Sequence, residues 1–487
     1  MIDLTVDERG LDKAVARARE RGIVIPTFAQ MADPSRIPAS VKQKLAKIGL
    51  WDVDPANLFR INWHNEPVAS GGGFGDVNAF ELPSSLTGTE ARIIGLCGKW
   101  FPTGAHKVGA AFGCLVPRLV TGQFDPTTQK AVWPSTGNYC RGGAYDSAVL
   151  GCASIAILPE GMSEERFSWL SKIAGEVIKT PGSESNVKEI FDKCWELRRS
   201  GQSLMIFNQF EELGNYLWHH EVTGRAMAEV LERRMGPRDR YRGVIVTTGS
   251  AGTIACGDYL KKLFPASKIG ASEALQCPTL LENGFGAHRI EGIGDKHVPW
   301  IHNVKNTDVV TAIDDEATMS VLRLFNEPTG RKHLAASGVP EAVVTQLPLL
   351  GISGIANLLS AIKFAHYYEL GREDFVLTVF TDSVDMYQSR LRELTAERGP
   401  FTELQAAGAL CRYLHGQGTE HLEELSYAAR KRVHNLKYYT WVEQQGRTAE
   451  ELVRQWRDDA YWTGVPAKAP ELDALIEAFN ARTGLAR

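Results

Sequence analysis

Long apolar runs are the first thing this 487-residue chain lacks. None approaches the ~20 residues that a membrane-spanning helix needs, which speaks against a membrane protein. Basic charge is not in excess either. Fifty-four Lys and Arg stand against 58 Asp and Glu, a formal net charge of -4, and no positive footprint for nucleic acid follows. The eight cysteines (Cys97, Cys114, Cys140, Cys152, Cys194, Cys256, Cys277 and Cys411) contain no CxxC pair. Neither a zinc site nor a disulfide frame is indicated, no metal is expected, and the usage suits reduced thiols in the cytoplasm. Residues 1–8 are acidic and lack a signal-peptide pattern. Short repeats and low-complexity segments are also missing. These absences leave a soluble cytoplasmic enzyme as the expected class.

What is present is an ordinary globular balance, 44% hydrophobic and 23% charged, in a chain long enough for two or three cores. Helical spacing occupies 11–21 and 40–50. The glycine-rich run 69–75 reads as a linker, because no apolar strand stands before it as a phosphate cradle requires. From residue 91 strands and helices alternate. Strands are expected at 91–97, 131–133, 153–158 and 175–180, with a helix over 108–120 after the first. Ser163 is expected to cap another helix, with Glu164 and Glu165 in its first turn. Val187, Ile190, Phe191, Cys194 and Leu197 fall on one helical face, and so do Ile355, Leu358, Leu359, Ile362 and Ala365. Further strands fit 243–248, 308–313 and 375–380, and after about Pro400 the composition is helical. Continuous apolar strands between helices imply an α/β fold of open, mainly parallel sheets. The expected division is an N-terminal extension (1–90), a smaller α/β domain (91–225), a larger one (226–399) and a helical C-terminal extension (400–487).

The chemistry centres on Lys107, in the glycine-flanked segment 101–111. A lysine buried among apolar residues is costly unless its charge is removed or matched, and an imine with an aldehyde cofactor is one way to remove it. Gly249, Ser250, Ala251, Gly252 and Thr253 form a small-residue turn between an apolar strand and a helix. Such a turn aims backbone N–H groups and a positive helix end at an anion. With no GxGxxG and no P-loop lysine there, a single phosphate monoester fits better than a dinucleotide or a nucleoside triphosphate. Ser135, Thr136, Gly137, Asn138 and Tyr139 make a second such turn, able to hold a carboxylate, with Asn138 able to donate to a phenolate-like oxygen. Ser383 lies just past the strand at 375–380, where ligands of open α/β sheets bind. An imine-forming lysine, a phosphate turn and a carboxylate turn together suggest pyridoxal 5'-phosphate.

These motifs resemble those of the fold-type II pyridoxal phosphate enzymes, the group that contains cysteine synthase, cystathionine β-synthase and the tryptophan synthase β subunit. The segment 104–107 looks like the cofactor-lysine segment of tryptophan synthase β. The segments 135–139, 158–166, 209–215, 249–253, 288–294 and 351–354 are similar, in order, to segments of cysteine synthase. The segment 382–387 is most like cystathionine β-synthase. The resemblance covers roughly 90–390. It implies two sheet domains with the cofactor in the cleft. Lys107 would be the catalytic residue. Lys107, His106, Asn138, the turn 249–253 and Ser383 would bind cofactor, the serine at the pyridine nitrogen. Ser135, Thr136, Gly137, Tyr139 and Gln209 would bind substrate. The implied activity is β-replacement or β-elimination on a β-substituted L-amino acid through an aminoacrylate, in a homodimer. A lyase releasing a keto acid and ammonia is one alternative, and a non-catalytic cofactor-binding partner protein is another. Two departures stand out. Tyr139 takes the place of the usual threonine, and Lys107 is followed by Val-Gly instead of Asp-Arg.

Overall fold

The computed structural model describes residues 1–67, 70–294 and 296–485. Its strands are β1 (Ala79–Leu82), β2 (Arg92–Cys97), β3 (Lys130–Pro134), β4 (Ala153–Pro159), β5 (Glu176–Thr180), β6 (Leu204–Ile206), β7 (Arg240–Thr247), β8 (Lys268–Ala274), β9 (Val309–Ile313), β10 (Asp374–Phe380) and β11 (Leu422–Glu424). They form a seven-stranded sheet, β1-β2-β10-β7-β8-β9-β11, and a four-stranded sheet, β5-β4-β3-β6. All pairs are parallel except the two edges of the larger sheet, where β1 runs antiparallel to β2 and β11 to β9. Every residue of β10 is buried, as its mainly apolar sequence requires when helices cover both faces.

The expected α/β architecture holds, with changes of boundary. Residues 92–97, assigned by sequence to the smaller domain, pair with β10 in register from Arg92 opposite Phe375 to Cys97 opposite Phe380, and so belong to the larger sheet. Backbone pairing, which sequence order does not reveal, sets this. The smaller sheet is built from β3 to β6 alone. Strands also continue past residue 400, since β11 caps the sheet edge beside β9. Ser163 takes the N-cap position of the helix Glu164–Ile173 but its side chain makes no capping bond. Its backbone N–H instead donates to Glu291 at 3.4 Å. Of the glycine-rich run, Ala69 lies outside the described residues. Farther along it, Phe74 bridges to Asn65 and the Gly72 carbonyl accepts from Arg60.

The two extensions meet each other. The helix Glu8–Arg21 lies along the C-terminal helix Ala469–Thr483, with Arg19 donating to the carbonyls of Thr483 (3.0 Å) and Arg482 (2.8 Å). Asn480 pairs with both backbone polar groups of Ile25 at 2.8 and 2.9 Å. What positions the site is simpler. The turns after β2, β3, β7 and β10 all leave the carboxyl ends of parallel strands, two sheets facing one cleft.

Candidate active site

Lys107 opens the helix Lys107–Val120, and the residues on either side of it are buried while it is half-buried. That helix can lie close to its neighbours because its buried glycines leave room for them. A Cβ on Gly109 would sit 2.1 Å from the Trp218 ring, and one on Gly113 would sit 2.3 Å from the Gly214 carbonyl. The lysine Nζ crosses the cleft and donates to Ser250 Oγ at 2.9 Å. Ser250 also accepts from Asn215 Nδ2 at 3.0 Å, and the same amide nitrogen bonds the Gln209 carbonyl at 3.0 Å. Ala251 adopts a left-handed φ of 62°, which turns the loop into the short helix Gly252–Ile254. Gly252 is held under Asn215, whose Oδ1 would lie 2.1 Å from any Cβ there. Among the described residues the N–H groups of Gly249, Ser250 and Ala251 find no acceptor, although Ser250 and Ala251 are buried. Buried donors of that kind need an anion.

The second turn is equally enclosed. Ser135 Oγ accepts from the Gly137 N–H at 3.0 Å and from Gln209 Nε2 at 3.4 Å, while Thr136 donates to Glu184. Gly137 has a φ of 159°, and a Cβ there would lie 2.7 Å from the Arg166 guanidinium. Asn138 Nδ2 donates to Asp382 Oδ2 at 2.6 Å, joining the small-sheet turn to the end of β10. Asn138 Oδ1 is buried and unpartnered. Tyr387 donates to the same Asp382 oxygen at 2.7 Å, and Arg166 donates to the Tyr387 hydroxyl at 3.0 Å and to Glu291. Burial raises the Asp382 pKa, with Arg166 acting against it. Burial also pushes Glu184 up to about 8, Arg166 again opposing. Burial disfavours the Arg166 charge too, yet Tyr387, Glu291 and Glu184 together hold that guanidinium above its ordinary pKa.

Beneath Lys107, His106 Nε2 lies 3.3 Å from Thr381 Oγ1, and its ring packs tilted against Trp63 and edge-on to His219. Burial, reinforced by Lys107, drives the His106 pKa far down, so the ring is neutral. Ser383 is buried at the entry to the turn Val384–Met386. Thr253, also buried, sits one turn along from Ser250. The structure thus brings Lys107, Ser250, Asn215 and Gln209 into one bonded cluster, with Asn138 and the 382–387 segment on the facing wall. Tyr139 is the exception. It is 1% exposed, its hydroxyl donates to the Phe207 carbonyl at 3.2 Å, and its ring packs edge-on against Trp133. Arg166, Asp382, Asn215, Glu184 and Glu291 had not been singled out as site residues. Four of them lie inside resemblance segments, but each also has a partner more than 30 residues away, such as Asn138 for Asp382 and Ser250 for Asn215.

These donors match one ligand chemistry. A turn of unbonded N–H groups suits a phosphate, and a lysine amine beside it suits an aldehyde. Residues 99–382 match the family model described as pyridoxal-phosphate dependent enzyme. The chain belongs to that family. Its cofactor is therefore pyridoxal phosphate, and its fold is that of the family. A probable cysteine synthase of Bacillus subtilis is 27% identical over 289 residues, 59% of this chain and 85% of that protein. Cystathionine β-synthase of Saccharomyces cerevisiae is 25% identical over 320 residues, 64% of this chain and 59% of the yeast protein. Among solved structures, an O-acetylserine-dependent cystathionine β-synthase from Helicobacter pylori aligns with a TM-score of 0.54 at 23% identity, covering 64% of this chain and 94% of that one. A hydrogen sulfide-producing enzyme mutant solved with an α-aminoacrylate intermediate aligns at 0.56 and 22%, covering 72% and 93%.

Proposed function

We propose that the protein acts at the β-carbon of a β-substituted L-amino acid, replacing or eliminating the β-substituent. The observation that carries this reading is the contact of Lys107 Nζ with Ser250 Oγ, which sets an amine beside a buried anion turn. Bound there, pyridoxal phosphate supplies a sink for the electron pair released at Cα. The N–H groups of 249–251, with the hydroxyls of Ser250 and Thr253, would hold its phosphate. The second N–H of Asn138 Nδ2 would be the donor for its ring oxygen, and Ser383 would offer its ring nitrogen a neutral hydroxyl. The turn 135–137, with Ser135 Oγ oriented by Gln209 and by the Gly137 N–H, would receive the substrate carboxylate. Lys107 Nζ then takes the proton from Cα, and loss of the β-substituent follows. Neutral His106 keeps a second positive charge away from that amine. The bonds from Asn138 to Asp382 and from Arg166 to Glu291 and Tyr387 close the small sheet onto the large one, which excludes water during the reaction.

The reading includes a homodimer in the cytoplasm. Eight free cysteines, seven of them buried, support the compartment, and the dimer rests on the resemblance alone. Light scattering giving the mass of one 53.7 kDa chain would remove the dimer. Replacement and elimination are separated by one assay. The holoenzyme is offered O-acetyl-L-serine and other β-substituted L-amino acids with and without a thiol, and both the thioether and the keto acid are measured. A thioether in the presence of thiol supports a synthase, and a keto acid without it supports a lyase. Turnover of none of them would overturn the proposal in favour of a silent cofactor-binding partner protein.

A further inference from the structure

Two arginines are buried at the seam between the sheets, and only one is matched. Arg166 lies against Glu291 and has Glu184 3.9 Å away. Arg141, 1% exposed, has no carboxylate of the described residues within ion-pairing distance. Its Nη1 donates to Met386 Sδ at 3.1 Å, a weak acceptor, and its Nε has no partner. Its Cζ lies 4.7 Å from the centre of the Trp169 ring and 5.4 Å from that of Trp51. Aromatic faces attract a guanidinium but do not replace an anion in a dry site. The nearest candidate counter-charge, Asp382, already accepts from Asn138 and Tyr387 through one oxygen. Its other oxygen points at Gly351, where a Cβ would meet it at 1.9 Å.

The position of this unmatched cation is specific. Arg141 follows Asn138 by three residues on the helix Asn138–Val149, so the two share a face about one turn apart. Both reach the same segment, Asn138 to Asp382 and Arg141 to Met386. The next residue, Gly142, packs so closely that a Cβ would lie 2.7 Å from Val108 Cα and 3.0 Å from the Lys107 carbonyl carbon. Trp51, 41% exposed, closes this corner from outside and lies over Gly104 of the lysine segment. A guanidinium one turn from the substrate loop, covered by an indole that itself reaches solvent, is placed for an anion entering with the substrate.

We propose that Arg141 is a specificity residue for substrates whose β-substituent carries its own negative charge, a carboxylate or a phosphate. The proposal rests on the amino-acid reading above and adds a second anionic group to its substrate. The forked guanidinium pairs with either group through two N–H donors, with the Trp51 and Trp169 rings, edge-on to each other, beside it. Calorimetric titration of the holoenzyme tests it with L-alanine, L-aspartate and O-phospho-L-serine as probes. Wild type is expected to bind at least one acidic probe at least tenfold tighter than L-alanine, and whichever of the two is favoured distinguishes carboxylate from phosphate. In Arg141→Met the affinity loss for that probe should exceed the loss for L-alanine at least tenfold. If that variant does not fold, R141K is read alone. Its ammonium cannot form the fork, and the acidic-to-neutral preference should fall at least fivefold. Equal losses for acidic and neutral probes would make Arg141 a structural residue and overturn the proposal, as would a wild type without preference. Binding of none of the three would instead overturn the amino-acid reading itself, and this proposal with it.

Discussion

Lys107 and Tyr139 show how differently two residues of one site declare themselves. Lys107 stands out because an amine among apolar and glycine residues needs a chemical reason, and its bond to Ser250 at 2.9 Å supplies the setting for one. Borohydride reduction of the holoenzyme should label a single peptide, the one containing residue 107, and Lys107→Ala should abolish that label while binding cofactor more weakly. A label on any other lysine would move the reactive amine elsewhere. Tyr139 lies inside a motif whose backbone faces the cleft, and the sequence does not say on which side its ring falls. The structure turns the ring inward, against Trp133 and the Phe207 carbonyl. Tyr139→Thr is therefore expected to act first on stability, by about 3 kcal/mol for a large buried ring. Tyr139→Phe should cost only about 1 kcal/mol, the worth of one buried hydrogen bond. Chemical denaturation of both, with substrate ranking measured alongside, checks this. A changed ranking in Tyr139→Phe at unchanged stability would return the ring to the pocket.

At the scale of elements, strands buried on both faces were legible and strands of small or mixed residues were not. β4 and β10 are mainly apolar, with Ser154 in the first and Asp374 and Thr378 in the second. β8, with Gly270, Ser272 and Glu273 inside it, carries no such signal, and it is buried because its neighbours β7 and β9 flank it. The three-residue strands β6 and β11 are too short for any period to show. The loops after β3, β7 and β10 were legible because clustered small and hydroxyl residues between a strand and a helix have few other uses. Their supporting residues were not, since Asn215 and Arg166 act on loops distant in sequence. The turn after β7 gives a direct test. A Cβ on Gly249 would meet the Gly292 carbonyl at 3.2 Å, a contact that needs only a small adjustment, so Gly249→Asp should still fold. Its carboxylate, however, would stand where the free N–H groups await an anion, and like charges repel strongly in a partly dry site. Cofactor affinity is expected to fall at least a hundredfold while the melting temperature of the apo-protein drops by a few degrees. Unchanged affinity in folded protein would reduce the loop to a plain turn.

Across the whole molecule, the C-terminal region is tied to the sheet domains by a buried amine as well as by apolar packing. Lys437 is 0% exposed, and its Nζ donates to the carbonyls of Trp300 (2.9 Å) and His302 (2.7 Å) and to Gln455 Oε1 (2.8 Å). Composition marked this region as helical but gave no hint that a lysine would sit inside it, because lysines are almost always exposed. Among the described residues no carboxylate accompanies the amine, and burial drives its pKa well below 10.5. The sign of the linkage follows. The unfolded chain holds the proton up to its ordinary pKa while the folded chain releases it earlier, so between those two values the unfolded state binds more protons and stability rises with pH. This contribution is complete above about 10.5 and is lost as pH falls through the folded pKa. Lys437→Met removes it and leaves the His302 carbonyl and Gln455 Oε1 without their donor. A loss of about 2–4 kcal/mol is expected at alkaline pH, the cost of two unsatisfied buried acceptors. The gap between wild type and variant should widen as pH rises from neutrality toward 10, read from denaturant unfolding at fixed ionic strength. A gap independent of pH would mean that Lys437 keeps its proton in the folded protein and that the three acceptors alone bear the charge.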